Sequence, residues 1–200
     1  MTIKKGEAWG GPAPLPADGV IVTSDGEARA ELERARRDGR PFPVIGLLGG
    51  DLCRTLGGSG DRDRLRSGAA VTFPVDLGEI LVDGRLHLFV AHAVARTRWW
   101  SRAWVAMNAQ WLGEWNAGPR AHPNDGRLDV YGASLPLTDR LKVRSRIGSG
   151  AHLPHPGITE RRTKAAQVEF PKPIDVGDQF KRGVARLERT FGRGQVGAAE

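Results

Sequence analysis

The segment from Gly49 to Gly57 contains residue types that could bind a phosphate group. It directly follows an apolar run, and glycines between a strand and a helix let backbone amides approach an anion. The candidate nucleotide- or phosphate-binding residues are Gly49, Gly50, Asp51, Arg54 and Thr55. The alternative is a tight turn that holds no ligand, with Arg54 on the surface, and the residue types leave both interpretations open.

A second chemical pattern is the histidine pair His152 and His155, whose spacing could look like that of metal ligands. No third ligand lies nearby in the sequence, and Pro154 and Pro156 disfavour a helix that would align the two rings. We therefore do not predict a metal site from this pair.

A group of tryptophans is interleaved with Arg98 and Arg102 and allows three interpretations. The side chains could fill a core, stack on nucleic-acid bases, or form a rim at a lipid headgroup boundary. Core packing is favoured, because large aromatic residues usually fill the interior of a β-sandwich. The residues concerned are Trp99, Trp100, Trp104, Trp111 and Trp115.

The elements around the glycine segment follow from local patterns. An apolar strand at Val20–Thr23 precedes Ser24 and Glu27, which form a capping box for a helix over about residues 25–38. A second apolar strand, Val44–Leu48, then leads into the glycines. Strand, helix and strand in so few residues predict a parallel, right-handed βαβ unit.

Strands are predicted to dominate after residue 70. Asp83-Gly84 is typical of a type I′ hairpin turn, and the return strand is predicted over Arg85–Ala95. A short helix is expected at Thr138–Val143, capped by Thr138 or Asp139. Further strands are predicted at Val105–Met107, Leu128–Val130, Ala165–Phe170, Ile174–Val176 and Val184–Thr190.

Composition and charge limit the classes of function. The chain has 200 residues and a formal net charge of +7, which attracts nucleotides, nucleic acids and anionic membranes. Because the basic residues are scattered, a solvated surface without such a partner is the favoured interpretation. No apolar run approaches the roughly 18 residues that cross a bilayer. The N-terminus does not look like a secretory signal, and the single Cys53 excludes an intramolecular disulfide. We therefore expect a cytoplasmic location, with a peripheral position at the membrane as the alternative.

The region from Val105 to Val130 carries the most specific pattern. It combines Met107-Asn108-Ala109-Gln110, Gly113, Gly118–Ala121 and Asp125–Val130. This pattern resembles the C-terminal domain of the diacylglycerol kinase family, the bacterial lipid kinases that share a fold with NAD kinases. The resemblance runs from about Ile45 to about Gln179 and is more specific in its second half.

The resemblance implies that the chain is an abridged or degenerate member of that family and has an α+β fold. Residues 1–17 would form an irregular arm, and 18–58 a small α/β remnant of a nucleotide domain. Residues 70–190 would form an antiparallel β-sandwich, followed by a flexible tail at 191–200.

The resemblance also implies catalytic positions. The family's ATP loop, Gly-Gly-Asp-Gly-Thr, has no full counterpart here, so ATP binding is not favoured. Asp51 would act as a metal or hydroxyl ligand. The family's general-base glutamate corresponds to Gln179, which cannot accept a proton, and Asp178 is the candidate substitute.

A structural Mg²⁺ is the cofactor that the resemblance implies. Its ligands would be the Asp125 carboxylate and the backbone carbonyls of His122 and Arg127, oxygen donors that suit a hard cation. The alternative is an Asx turn at Asp125 without a metal.

These features predict a lipid kinase-like protein that binds a lipid or polyol and, if active, transfers a phosphoryl group to its hydroxyl. One alternative is a catalytically silent binding protein of this family. Another is a basic nucleic-acid-binding protein, which only charge and the Arg/Trp interleaving favour. The other partners considered are an anionic membrane surface and a second copy of the chain.

Overall fold

The computed structural model describes residues 9–82, 84–97 and 100–168, with the backbone of three later strands at 175–176, 185–188 and 193–199. The helices of this part are α1 (Asp25–Arg37), α2 (Asp51–Thr55), α3 (Arg62–Leu65) and α4 (Leu137–Ile147). The strands are β1 (Gly11–Pro12), β2 (Val20–Val22), β3 (Ile45–Leu47), β4 (Ala70–Asp76), β5 (Gly78–Val82), β6 (Arg85–Phe89), β7 (His92–Arg96), β8 (Arg102–Met107), β9 (Leu128–Ser134), β10 (Ile158–Thr163), β11 (Ala165–Val168), β12 (Asp175–Val176), β13 (Ala185–Glu188) and β14 (Arg193–Ala199).

The N-terminal half contains the predicted βαβ unit. β2 and β3 pair in parallel, and α1 connects them. The capping box forms with one difference: Ser24 Oγ accepts the Glu27 N–H at 3.2 Å, while the Glu27 carboxylate accepts the N–H of Thr23 at 2.6 Å. The apolar face of α1 is buried through Ala28, Leu32 and Ala35. The sequence therefore predicted this helix and its start.

The first sheet has the order β1-β4-β14-β3-β2. β14 pairs in parallel with β3 and antiparallel with β4. Residues 193–199 thus differ from the flexible tail that was expected there. Their small and polar side chains carry no strand pattern, and the backbone hydrogen bonds that define β14 come from partners more than a hundred residues earlier.

Two further sheets form the predicted antiparallel sandwich, with the orders β10-β9-β8-β7-β12 and β11-β13-β5-β6. We call them the second and third sheets. Their shared core joins Ile80 and Phe89 from the third sheet with Trp104, Leu128 and Val130 from the second. An α+β fold with an antiparallel sandwich is confirmed.

The predicted return strand at 85–95 is divided into β6 and β7. At the break, the carbonyl of Ala91 accepts the N–H groups of Asn108 and Ala109, both at 2.8 Å. The buried Asn108 side chain donates to the carbonyls of Val90 at 2.7 Å and Asp76 at 2.8 Å. Asn108 therefore holds the ends of three strands together at the junction between the sheets.

α4 is longer than the predicted helix and begins differently. Its N-cap is Pro136, and no side chain caps it, so neither Thr138 nor Asp139 has the predicted role. None of its residues is buried, although Ile147 packs against a cluster that includes Met107 and Tyr131. α4 therefore covers one face of the second sheet loosely.

Candidate functional site

The predicted phosphate-binding turn lies where β3 leads into α2. Gly50 has φ 98°, a conformation that favours glycine. A Cβ atom on Gly49 would lie 2.5 Å from the carbonyl oxygen of Thr23, and one on Gly50 would lie 2.7 Å from Asp25 Oδ1. The close approach of the turn between β2 and α1 therefore explains both glycines without a ligand.

Asp25 occupies the amides that a phosphate would need. Its carboxylate accepts the N–H of Asp51 at 2.6 Å and the N–H of Leu52 at 3.2 Å. Burial raises the pKa of Asp25, and the two backbone hydrogen bonds oppose that shift. Because an internal anion already caps α2, these residues do not fit a phosphate cradle as they stand.

The other predicted phosphate ligands contact a loop of the protein. The Asp51 carboxylate accepts the Gly113 N–H at 2.9 and 3.0 Å, and Arg54 donates to the Gly113 carbonyl at 2.9 Å. Thr55 Oγ1 accepts the Gln110 N–H at 3.1 Å. Asp51, Arg54 and Thr55 together fasten α2 to the loop that follows β8.

His92 lies beside this cluster and was not singled out from the sequence. Its Nδ1 is 3.5 Å from Asp51 Oδ2. Burial lowers the pKa of His92, and the charges of Asp51 and Asp25 oppose that shift. A histidine at the start of a strand carries no local sign of such neighbours, since Asp25 and Asp51 reach it only through the fold.

The predicted metal ligand Asp125 has protein partners. Its Oδ1 accepts the Arg127 N–H at 2.8 Å, which is an Asx turn, and its Oδ2 accepts a hydrogen bond from the Arg162 guanidinium. Burial lowers the pKa of His122, whose Nδ1 accepts the Asn124 N–H at 3.2 Å. A cation at Asp125 would compete with Arg162. The Mg²⁺ site, with its two carbonyl ligands, stays a prediction.

The remaining candidate residues are the two catalytic positions and the histidine pair. The candidate catalytic residues Asp178 and Gln179 lie outside the described residues. His155 Nδ1 accepts the Gly157 N–H at 3.0 Å, and His152 is buried beside a cavity. In the part of the chain that the structure describes, no three His, Cys, Asp or Glu side chains group as metal ligands.

A cavity of about 280 Å³ separates α4 from the face of the second sheet that points away from the sandwich core. Its lining is mainly apolar and includes Val105 on β8, Ala133 on β9, and Leu141 and Ile147 on α4. The sequence gives no sign of this cavity, because its lining residues come from separate segments and none has a chemical signature of its own.

Two buried polar atoms belong to residues that line the cavity. Tyr131 and His152 are each 6% exposed, and neither Tyr131 Oη nor His152 Nδ1 has a hydrogen-bond partner. Burial raises the pKa of Tyr131. Burial lowers the pKa of His152, and the hydrogen bond between His152 and the Ala117 backbone opposes that second shift. Buried polar groups normally have partners, so these two atoms are unsatisfied polar groups within residues that line the cavity.

The tryptophans divide among three environments. Trp104 lies in the sandwich core, as favoured, and the Arg54 guanidinium stacks 3.6 Å from the ring centroid of Trp111. Trp100 and Trp115 line the cavity and meet edge to face at a centroid distance of 5.7 Å. Trp99 lies outside the described residues. Among the described helices, none is both long and apolar enough to span a bilayer.

The fold of this chain is similar to that of a class of proteins with solved structures. A small α/β sheet joined to an antiparallel sandwich is the fold of diacylglycerol kinase-type proteins, as the comparisons with solved structures establish. No family model matches the sequence, and no curated protein matches it.

Two of the similar solved structures are described as a putative diacylglycerol kinase from Bacillus anthracis str. Sterne. One is 14% identical, with a TM-score of 0.63, and covers 90% of this chain and 77% of that chain. A second is 15% identical, with a TM-score of 0.65 and the same coverage. A third, a diacylglycerol kinase from the same source, is 15% identical, with a TM-score of 0.57, covering 78% of this chain and 66% of that one. At these identities the similarity shows the fold.

Proposed function

We propose that this lipid kinase-like protein binds a single-chain lipid with a hydroxyl group in the cavity beneath α4. The cavity is the observation that carries the proposal. Its volume of about 280 Å³ lies just below the range of about 300 to 1,000 Å³ that ligand sites occupy. That size suits one acyl chain better than two, and its apolar lining favours a lipid over a polyol.

A hydroxyl group on the ligand would satisfy the two unpartnered polar atoms of the lining residues Tyr131 and His152. Because Nδ1 of His152 has no partner, the hydrogen bond to Ala117 uses Nε2. Nδ1 of the neutral ring is then an acceptor, whereas Tyr131 Oη can donate. A hydroxyl can donate to the first and accept from the second, while a carboxylate can only accept.

Binding, rather than phosphoryl transfer, is the function that the contacts support. Asp25 already accepts hydrogen bonds from the amides at the start of α2, so they are not free to bind the phosphates of ATP. The nucleic-acid alternative loses its main support as well. Trp104 is buried, Trp111 is covered by Arg54, and Trp100 and Trp115 line the cavity.

Fluorescence titration with cis-parinaric acid tests the proposal, because Trp100 and Trp115 line the cavity and can transfer energy to the bound probe. We expect saturable binding at one site. Ala133→Leu should weaken it at least about tenfold by filling the cavity. Ser134→Leu is the matched control, since Ser134 is the next residue on β9 and is exposed. Equal affinities for the wild type and Ala133→Leu would contradict the proposal.

Competition experiments test the preference for a hydroxyl group. A long-chain alcohol should displace the probe at a lower concentration than the carboxylic acid of equal length. Tyr131→Phe should weaken binding of the alcohol by roughly three- to tenfold, the effect of one lost hydrogen bond. An alcohol that competes no better than the acid would leave the hydroxyl preference without support.

A further inference from the structure

One edge of α4, beside the cavity, exposes two large apolar side chains. Leu137 is 62% exposed and Leu141 is 61% exposed, whereas the next most exposed leucines among the described residues, Leu86 and Leu81, reach 40% and 37%. Residues four apart lie on the same face of a helix, so Leu137 and Leu141 form one apolar ridge. Nothing among the described residues covers this ridge.

The same helix is strongly basic. It carries one acidic residue, Asp139, and four basic ones: Arg140, Lys142, Arg144 and Arg146. Four positive charges and one negative charge leave a net charge of +3 for the helix. No acidic residue lies between Asp139 and Glu160 in the sequence, so the flanking segment does not neutralise this surface.

Apolar side chains beside basic ones match a membrane surface with anionic headgroups. Leucines of an interfacial helix enter the boundary between headgroups and acyl chains, while basic residues attract anionic lipids. A second copy of α4 is a poorer partner, since two helices that each carry +3 repel one another. Charge complementarity therefore favours the lipid surface over a dimer.

We propose that α4 docks the protein on an anionic phospholipid bilayer through Leu137, Leu141 and its basic residues. Leu141 and Arg144 also line the cavity, so docking would bring its wall against the bilayer. The docking depends on the exposed side of α4 and does not require that the cavity bind a lipid. The docking proposal goes beyond the proposed function because it names the membrane surface to which the protein binds.

Flotation with sized vesicles tests the docking. The full chain should bind vesicles of phosphatidylcholine mixed with phosphatidylglycerol at least about tenfold more tightly than vesicles of phosphatidylcholine alone. Added salt should weaken the binding, because it screens the exposed charges. Leu137→Ser with Leu141→Ser should lower it by about tenfold or more. Lys142→Gln with Arg144→Gln should remove the preference for anionic vesicles, because Arg144 follows Leu141 by three residues and lies beside the ridge.

Leu81→Ser with Leu86→Ser is the matched control, because these two residues face each other on the β5–β6 hairpin and are the next most exposed leucines. This variant should bind vesicles like the wild type. Thermal melts confirm that every variant is folded. Absence of binding to anionic vesicles, or equal binding by the α4 and hairpin variants, would overturn the docking.

Two measurements distinguish docking on a bilayer from lipid binding in the cavity and from self-association. Ala133→Leu should keep wild-type vesicle binding, so that a failure of lipid binding in the cavity does not appear as a failure of docking. Sedimentation velocity tests the second copy: a dimer that Leu137→Ser dissociates, without binding to vesicles, would assign the ridge to self-association and overturn the proposal.

Discussion

The carboxylate of Asp25 accepts the backbone N–H of Asp51 at 2.6 Å, and this bond joins two turns that are 26 residues apart. Asp25 begins α1 after β2, and Asp51 begins α2 after β3. Two parallel strands thus place the turns side by side, and one side chain caps the neighbouring helix. The backbone amides of the predicted phosphate-binding turn donate instead to a carboxylate of the protein itself.

Replacement of Asp25 should destabilise the first sheet. Asp25→Ala leaves the N–H groups of Asp51 and Leu52 without their acceptor, and the loss of such a cap costs about 1 to 2 kcal/mol. Urea denaturation measures the change in the free energy of unfolding. Glu31→Ala is the control, since Glu31 pairs only with Arg34 on the exposed side of α1 and should cost less than about 0.5 kcal/mol. Equal losses would show that the cap contributes little.

Replacement of Asp125 distinguishes the Asx turn from the predicted Mg²⁺ site. Asp125→Ala removes the acceptor of the Arg127 N–H and the partner of Arg162. We expect the melting temperature to fall by the same amount in Mg²⁺ and in chelator, because these two partners belong to the protein. A larger fall in Mg²⁺ would instead establish the ion, since a ligand bound only to the native state stabilises it.

Asp129 should make the stability of the protein depend on pH. The residue is 3% exposed, its Oδ2 has no hydrogen-bond partner, and burial raises its pKa to about 6 although Arg162 opposes the shift. The native state therefore holds this proton more tightly than the unfolded chain does. This contribution to stability is present at low pH and is lost as the pH rises through about 6.

Asp129→Asn removes this ionisation. At about pH 8 the variant should be more stable than the wild type by up to about 3 kcal/mol, and at about pH 4 the two should be nearly equal. Denaturation midpoints at both pH values give the comparison. A stability difference that does not change with pH would contradict the buried-carboxyl explanation.

Phosphoryl transfer by this chain should be weak or absent. The amides at Asp51 and Leu52 have an internal acceptor, and the residue that the sequence resemblance assigns to the general base is the amide Gln179. Transfer of labelled phosphate from ATP–Mg²⁺ to a mixed lipid extract measures the activity. If Asp178 serves as the base, Asp178→Asn should abolish any turnover without unfolding the protein, and Gln179→Glu should raise it. Robust transfer that survives Asp178→Asn would show that the active site lies elsewhere.

Local patterns were sufficient for the elements that depend on neighbouring residues. The Ser24 and Glu27 capping box and the period of Ala28, Leu32 and Ala35 predicted α1. The Asp83-Gly84 turn predicted the β5–β6 hairpin, in which Val82 pairs with Arg85 and Gly84 has φ 76°. Capping, helical period and turn conformation act within a few residues, so the sequence displays them directly.

The sequence also predicted the class of fold, through the pattern from Val105 to Val130. It could not predict how the residues of that pattern are used. Asn108 is a buried link between strand ends, and Gly113 is the partner of Asp51 and Arg54. Both roles depend on segments that come together only in the folded chain.

The sequence by itself thus determined the βαβ unit, the hairpin and the α+β class, because these follow from local backbone preferences and strand patterns. Tertiary structure alone decided that Asp25 fills the predicted phosphate turn, that Arg162 meets Asp125, and that α4 leaves a cavity over the second sheet. Each of these depends on distances between residues far apart in the chain, and those distances are set by how the sheets pack.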